Sequence, residues 1–437
     1  MLDKIFGWKK RRSEPDPEIS FGRYSDNNKP LEKVNRWSEA DGLFKDKKIY
    51  ESFDAFFDYL LDDGIQNVKH SRADNEGSFC IYQGSKIVRG SYNKEHLKAE
   101  VTLARMATPS VPVMRRLLEM NFNLYYSRYA LDSERLCMRF DTDTFNASPS
   151  KLYYGLKELA TRGDKQDDLL VQDFTILETV DTEHVTPLPD EEKEVKRRFM
   201  QKWIADVLDT IQNLDAEKFS GGIAYLLLSL LYRIDFLISP EGKLLNEFEK
   251  IVQLYYKKDD RPVVEKNRDM IEAVKKIHAK TKEEIFPYLF RSKYTFSIAM
   301  PQTYKYVSDA IYNANQNVTW YRDNGYPFIA RQITEYGISY CQYSYSLPRP
   351  VTELFLLFMM VNYSEYFAAL GFKRLYYDTS NKKLNEEGIK ERIEEIEEQW
   401  KPKYPHFQFK FDSLKFTSLI AFDLSFTNGV ESLNLEK

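Results

Sequence analysis

The chain has 437 residues, 43% of them hydrophobic and 15% aromatic, and Lys+Arg at 63 against Asp+Glu at 67 leave a formal charge of −4. Disorder requires few aromatics and a large charge imbalance, so the composition excludes a disordered chain. It also lacks the basic excess of a general nucleic-acid binder. The length suggests two or three domains.

Residues 1–12 place an apolar start (Leu2, Ile5, Phe6, Trp8) before a basic run (Lys9, Lys10, Arg11, Arg12). A secretory signal has the reverse order and an apolar stretch of roughly 7–15 residues. The segment reads as a frayed terminus, with contact to an anionic membrane surface as the alternative. Residues 13–48 are polar and weakly periodic, so 1–48 is expected to be a leader or loop.

The first clear element follows. Phe53, Phe56, Phe57, Leu60 and Leu61 recur with helical period, with Ser52 suited to the N-cap and Gly64 to the position past the end. Strands are expected over 79–83, 86–92 and 97–103; in the last, Leu97, Ala99, Val101 and Leu103 alternate with polar residues. A short helix then carries Val113, Met114, Leu117 and Leu118, followed by strands over 123–130 and 136–140 around a turn at 131–134. Ser148-Pro149 starts a helix through Leu152, Leu156 and Leu159, with Asp164 to Asp168 on or beyond its end. The acidic, Pro-containing stretch 180–194 marks a domain boundary.

Residues 191–283 read as all-α. The apolar run 222–238 contains Arg233 and Asp235 and is about three residues short of a membrane span, so it reads as a buried helix. From 284 to 437 a second α+β domain is expected, with strands over 294–299, 318–321, 328–334, 338–346, 407–411 and 414–426. Its order near 293–371 echoes 97–174, leaving open a diverged copy of the first domain or an unrelated one.

Signals for chemistry are sparse. The five histidines, His70, His96, His184, His278 and His406, are scattered, and no HExxH or Cys/His cluster suggests a metal. GxSxG, GxxxxGK[ST] and GxGxxG are absent, so no catalytic or cofactor-binding residues are assigned. Asp141-Thr142-Asp143 reads as a turn in preference to a metal-binding pair, and Arg162-Gly163-Asp164 as chance composition. Cys80, Cys137 and Cys341 lie far apart, which argues for a reducing, cytoplasmic setting over a disulfide framework. Tyr336, Tyr340, Tyr343 and Tyr345 crowd one expected hairpin; strand pairing explains them, and a peptide groove is the functional alternative.

The order α-β-β-β-α-β-β-α over 51–174 resembles the type III secretion chaperone-like fold, and more narrowly the bacterial YbjN-type proteins. The residues that carry the resemblance are the helix at 112–121, the strand-turn-strand at 129–136 and the capped helix at Ser148. It implies a non-catalytic, polypeptide-binding or regulatory scaffold. Such chaperones dimerise through the middle helix, which assigns Val113, Met114, Leu117 and Leu118 as contact candidates. The expected partner is another polypeptide or a second copy (a dimer, or an internal pseudo-dimer if the domain is duplicated), with no nucleic acid. The alternative is an enzyme whose site assembles from scattered residues.

Overall fold

The computed structural model describes residues 16–436, so the apolar-basic segment at 1–12 lies outside the described residues. The fold is α+β. Its first unit opens with α1 (Leu31–Lys45), in the middle of the expected leader. Trp37, Ala40 and Phe44 have helical spacing there, but the polar residues between them dilute the pattern. Trp37 packs on Phe56, Tyr59 and Tyr153 at ring separations of 5.0–6.3 Å. α2 (Ile49–Leu60) buries Phe53, Phe56, Phe57 and Leu60 as the stripe requires. It begins three residues before Ser52, whose hydroxyl donates to the carbonyl of Ala40 at 2.7 Å instead of capping a helix.

The sheet consists of β1 (Val68–Ala73), β2 (Glu76–Gln83), β3 (Lys86–Tyr92), β4 (His96–Arg105), β5 (Arg128–Asp132) and β6 (Arg135–Asp143). Its order is β1-β2-β3-β4-β6-β5, antiparallel throughout. α3 (Val111–Asn121) connects β4 to the edge strand β5, and α4 (Pro149–Asp173) follows β6. Ser148 caps α4, accepting from the backbone N–H of Lys151 at 3.3 Å. Glycine lets this helix lie close to the sheet. A Cβ on Gly155 would stand 2.6 Å from the Phe140 ring, and one on Gly163 2.8 Å from Val101. The opposite sheet face is charged, with Arg135 and Arg139 both paired to Glu100 and Asp132.

The second unit is helical. It comprises α5 (Asp190–Gln212), α6 (Ser220–Arg233), α7 (Gly242–Tyr256), α8 (Val263–His278), α9 (Lys282–Ile285) and α10 (Tyr304–Asp323). It continues with α11 (Pro327–Ser344), α12 (Arg349–Asn362), α13 (Ser364–Ala369), α14 (Glu386–Trp400) and α15 (Leu419–Glu431). α6 runs on through a π-turn to Ile238; this segment is long and apolar enough to cross a membrane by composition, yet 89% of it is buried inside the second core.

The expected second α+β domain is thereby corrected. Residues 318–321 belong to α10, 328–334 and 338–344 to α11, and 419–426 to α15, while 294–299 and 407–410 are irregular. Strands here are two-residue pairs only, so the α-β order of the first unit does not recur at 293–371. The physical reason is visible in α11, which buries Ile329, Ala330, Ile333, Thr334, Ile338 and Cys341. With Gln332, Glu335, Ser339 and Gln342 also buried, the helix is covered on most sides by α6, α10, α12 and α15, and that burial outweighs the strand preference of β-branched and aromatic residues.

Two cores result, the first running from Ala40 to Leu177 and the second from Leu188 to Leu433. One residue crosses over. Phe296, between α9 and α10, is fully buried in the first core, with its ring 5.5 Å from that of Tyr153. Gln83 holds the segment, accepting from the N–H groups of Thr295 and Phe296 and donating to the Phe296 carbonyl at 3.0–3.2 Å. Residues 16–30 touch both units: Arg23 pairs with Asp235 and Ser25 bonds Ser346 and Leu347 in the second, while Asp26 accepts from the Tyr153 hydroxyl and Lys29 donates to the Leu60 carbonyl in the first.

Candidate interaction surface

α3 sits at the β5 edge of the sheet, and its two faces divide the candidates. Val113 and Leu117 point inward at 0% and 3% exposure, and Met114 is half-buried against the same core. Val113 and Leu117 are therefore withdrawn as contact residues, because helical period turns them onto the sheet together with Met120. Leu118 alone of the four stands out, at 64% exposure. It is joined by Val111 on the same helix and by Phe122 and Tyr125 just beyond it, the last two more than nine-tenths exposed. Sequence reasoning missed Tyr125 because 123–130 reads as one strand, whereas β5 begins at Arg128; Phe122 fell between the expected helix and that strand.

The segment presenting them is tied down. One carboxylate, Glu158 of α4, accepts the backbone N–H groups of Tyr125, Tyr126 and Ser127 at 2.7–2.9 Å and the Ser127 hydroxyl at 3.0 Å. Tyr126 also stacks on Tyr154 of α4 at 6.4 Å. Beside it, β5 pairs only with β6, so its outer edge is unpaired in the sheet. An apolar patch, an ordered loop and a strand edge thus occupy one side of the first unit. Such a combination suits docking of a polypeptide.

Other sequence candidates lie elsewhere. Tyr336, Tyr340 and Tyr343 belong to α11, not a hairpin, at spacings of four and three residues. Tyr232 contacts all three, and the hydroxyls of Tyr232, Tyr256 and Tyr336 form a chain at 3.1–3.2 Å, which makes them packing residues of the second core. Arg162-Gly163-Asp164 is part of α4, with Gly163 buried on the sheet. Asp141 and Asp143 are in β6, opposite Lys98 and His96, instead of in a turn. Among the described residues no three His, Cys, Asp or Glu side chains converge to hold a metal.

Asp164 to Asp168 lie within α4 and face the junction between the units. The Asp164 carboxylate accepts from the Ser85 N–H at 2.8 Å, and Asp167 pairs with buried Lys86 at 2.9 Å. Burial, reinforced by the Asp167 charge, pushes the Asp168 carboxyl up to about 7. Glu241 of the second unit is pushed up to about 7 by burial, although Tyr294 and Ser292 donate to it at 2.6 and 3.0 Å. Nearby, a cavity of about 800 Å³ opens between the units, walled by residues from 19 to 400 and including Glu241, His184, Glu192 and Lys196. Burial lowers the Lys196 ammonium to about 8.

No family model matches the chain, and no curated protein matches it. Fold and surface define a class only: an α+β protein with a six-stranded antiparallel sheet, a large helical unit and an apolar patch at the sheet edge.

Proposed function

We propose that the chain is a non-catalytic polypeptide-binding or regulatory protein of chaperone-like type that self-associates through the outer face of α3. The observation that carries this reading is the exposure of Val111, Leu118, Phe122 and Tyr125 on one ordered patch. Single exposed apolar residues are ordinary, whereas a contiguous apolar patch marks an interface. A second copy is the occupant that the resemblance favours, because such chaperones pair through their middle helix. The exposed side of α3 also carries Arg115, Arg116 and Glu119, with Arg116 and Glu119 3.9 Å apart on the same helix. Size-exclusion chromatography with light scattering tests it: Phe122→Glu with Leu118→Glu is expected to convert a dimer to a monomer of unchanged circular dichroism. A dimer that survives both substitutions refutes the α3 interface.

One observation favours a second reading, an enzyme with a site built from scattered residues. The inter-unit cavity gathers His184, Glu192, Glu241 and Lys196, two of them with strongly shifted protonation. Against it, Glu241 is engaged by Tyr294, Lys196 donates to the Ile238 carbonyl at 2.9 Å, and His184 Nε2 sits 3.2 Å from the Gly84 carbonyl. Ser292 and Tyr294 do set a hydroxyl against the Glu241 carboxylate, but neither His184 nor Lys196 joins that pair, each facing a backbone carbonyl instead. Turnover of an ester or phosphate panel that Glu241→Gln abolishes would favour the enzyme.

A further inference from the structure

The arm that precedes α1 lies in a groove of the helical unit. Residues 16–25 form no helix or strand, and Phe21, Gly22, Arg23 and Tyr24 are each half-buried, so the arm follows the surface with one side open to solvent. The groove begins where α6 ends in its π-turn. Pro240 has no N–H and the Glu241 N–H goes to the Tyr288 carbonyl at 2.9 Å, so the helix supplies no N–H for the carbonyl of Phe236. The Ser239 hydroxyl reaches that carbonyl at 3.2 Å, and the Gly22 N–H makes the shorter bond at 2.8 Å. The neighbouring carboxylate, Asp235, is 6% exposed. Among the described residues its one cationic partner is Arg23, which donates to it through Nε and Nη2 at 2.9 and 2.8 Å.

Three consecutive arm residues thus meet three different demands. The Phe21 ring enters an aromatic pocket, 5.2–6.5 Å from the ring centres of Tyr366, Phe367 and Phe372. Gly22 has a φ of +74°, and a Cβ on it would stand 2.8 Å from the Phe236 ring, so a larger residue does not fit. The Arg23 guanidinium lies 4.0 Å from the Tyr343 ring centre and also reaches Glu249 at 3.2 Å. With the arm out, the helical unit keeps a buried carboxylate without a counter-ion and a helix-end carbonyl without an N–H donor, both unfavourable. The demands belong to the helical unit, while the segment that meets them is joined through α1 to the first unit. An aromatic pocket, a main-chain acceptor and a carboxylate set in line are what reads an extended peptide.

We propose that this groove is a recognition site for an extended polypeptide segment of the order aromatic-glycine-arginine, and that residues 21–23 are its resident occupant, displaced by a partner carrying the same order. The acidic pair Asp235 and Glu249 requires the partner to be cationic at this point. Tethering holds the arm at an effective concentration on the order of millimolar, so a free segment competes poorly with it. A partner that also docks elsewhere on the chain gains the same advantage. The groove is separate from the outer face of α3 and stands if that interface fails.

Fluorescence anisotropy of a labelled peptide with the sequence of residues 16–27, titrated with the full chain, tests the assignment. The peptide should bind the Phe21→Ala, Arg23→Ala chain, whose own arm no longer competes, at least tenfold more tightly than the wild type. Phe21→Ala alone should act in the same direction. A peptide carrying Arg23→Glu or Gly22→Val should bind the double variant at least tenfold more weakly than the native peptide. Hydrogen exchange of the wild-type chain gives an independent readout: amides at 19–25 should exchange by local opening, at least tenfold faster than those of α6. No binding to the folded double variant, equal binding to both chains, or undiminished binding of the Arg23→Glu peptide overturns the proposal. So does arm exchange as slow as that of α6.

Discussion

Phe296 is the most direct probe of how the two units are joined. Its backbone belongs to the link between α9 and α10, yet its ring is fully buried in the core of the other unit. Substitution Phe296→Ala removes that ring and leaves a cavity beside Tyr153, while the hydrogen bonds to Gln83 involve only the backbone and persist. A buried Phe→Ala change costs about 3–5 kcal/mol, the transfer free energy of the ring plus the cavity left behind. The loss should fall on the first unit. Guanidinium unfolding followed by circular dichroism measures the total, and hydrogen exchange read by mass spectrometry locates it. Amides of β2, β3 and α4 should exchange faster, while those of α6 and α11 change little. A total loss under about 1 kcal/mol, or faster exchange confined to the helical unit, refutes the assignment of Phe296 to the first core.

Further outcomes follow from other buried groups. Arg233 and Glu335 pair at 2.7 Å with both side chains under 5% exposed, so Arg233→Met alone should cost about 3–5 kcal/mol in chemical denaturation. The double change Arg233→Met, Glu335→Leu should recover most of that loss, because no lone buried charge remains. The Asp168 and Glu241 carboxyls, both held near 7 by burial, favour the folded state when protonated. Their contribution is complete below the unfolded value of about 4 and disappears as pH climbs through 7, so the melting temperature should rise from pH 7.5 to 5.5. Lys29 and Lys196, lowered to about 8, are largely protonated across that range and oppose the trend little. Differential scanning calorimetry of Glu241→Gln should show a flatter pH profile; an unchanged slope contradicts the reading. Glu158→Ala should free the loop after α3, seen as faster proteolysis at 122–127 with the rest of the chain unaffected.

Much of the first unit is written in local pattern. The phenylalanine stripe of α2, the alternation of β4 and the Ser148 cap each depend on neighbours within one or two turns, and each forms as the spacing demands. β1 escaped because Lys69-His70-Ser71-Arg72 offers no apolar alternation; it forms as the outer partner of β2. In the second unit, runs such as Ile329 to Ile338 satisfy strand and helix templates alike. Only the surrounding helices decide between them, by covering α11 on most sides. The acidic residues of α4 look solvated in one dimension. Their burial depends on Ser85, Lys86 and Glu241, which are brought there by the sheet and by the second unit. The site followed the same division. Leu118 was legible as part of an apolar helix, but which of its neighbours face solvent depends on the helix orientation against β5. The cavity between the units draws on segments from residue 19 to residue 400 and has no local signature.

The central claim, self-association through the outer face of α3, is tested most directly by sedimentation equilibrium of the full chain, with and without Phe122→Glu. The wild type should sediment at twice the 51.7 kDa chain mass at micromolar concentration, and the variant at the chain mass. A wild-type monomer up to about 100 µM, weaker than the micromolar range of specific protein pairs, would contradict it.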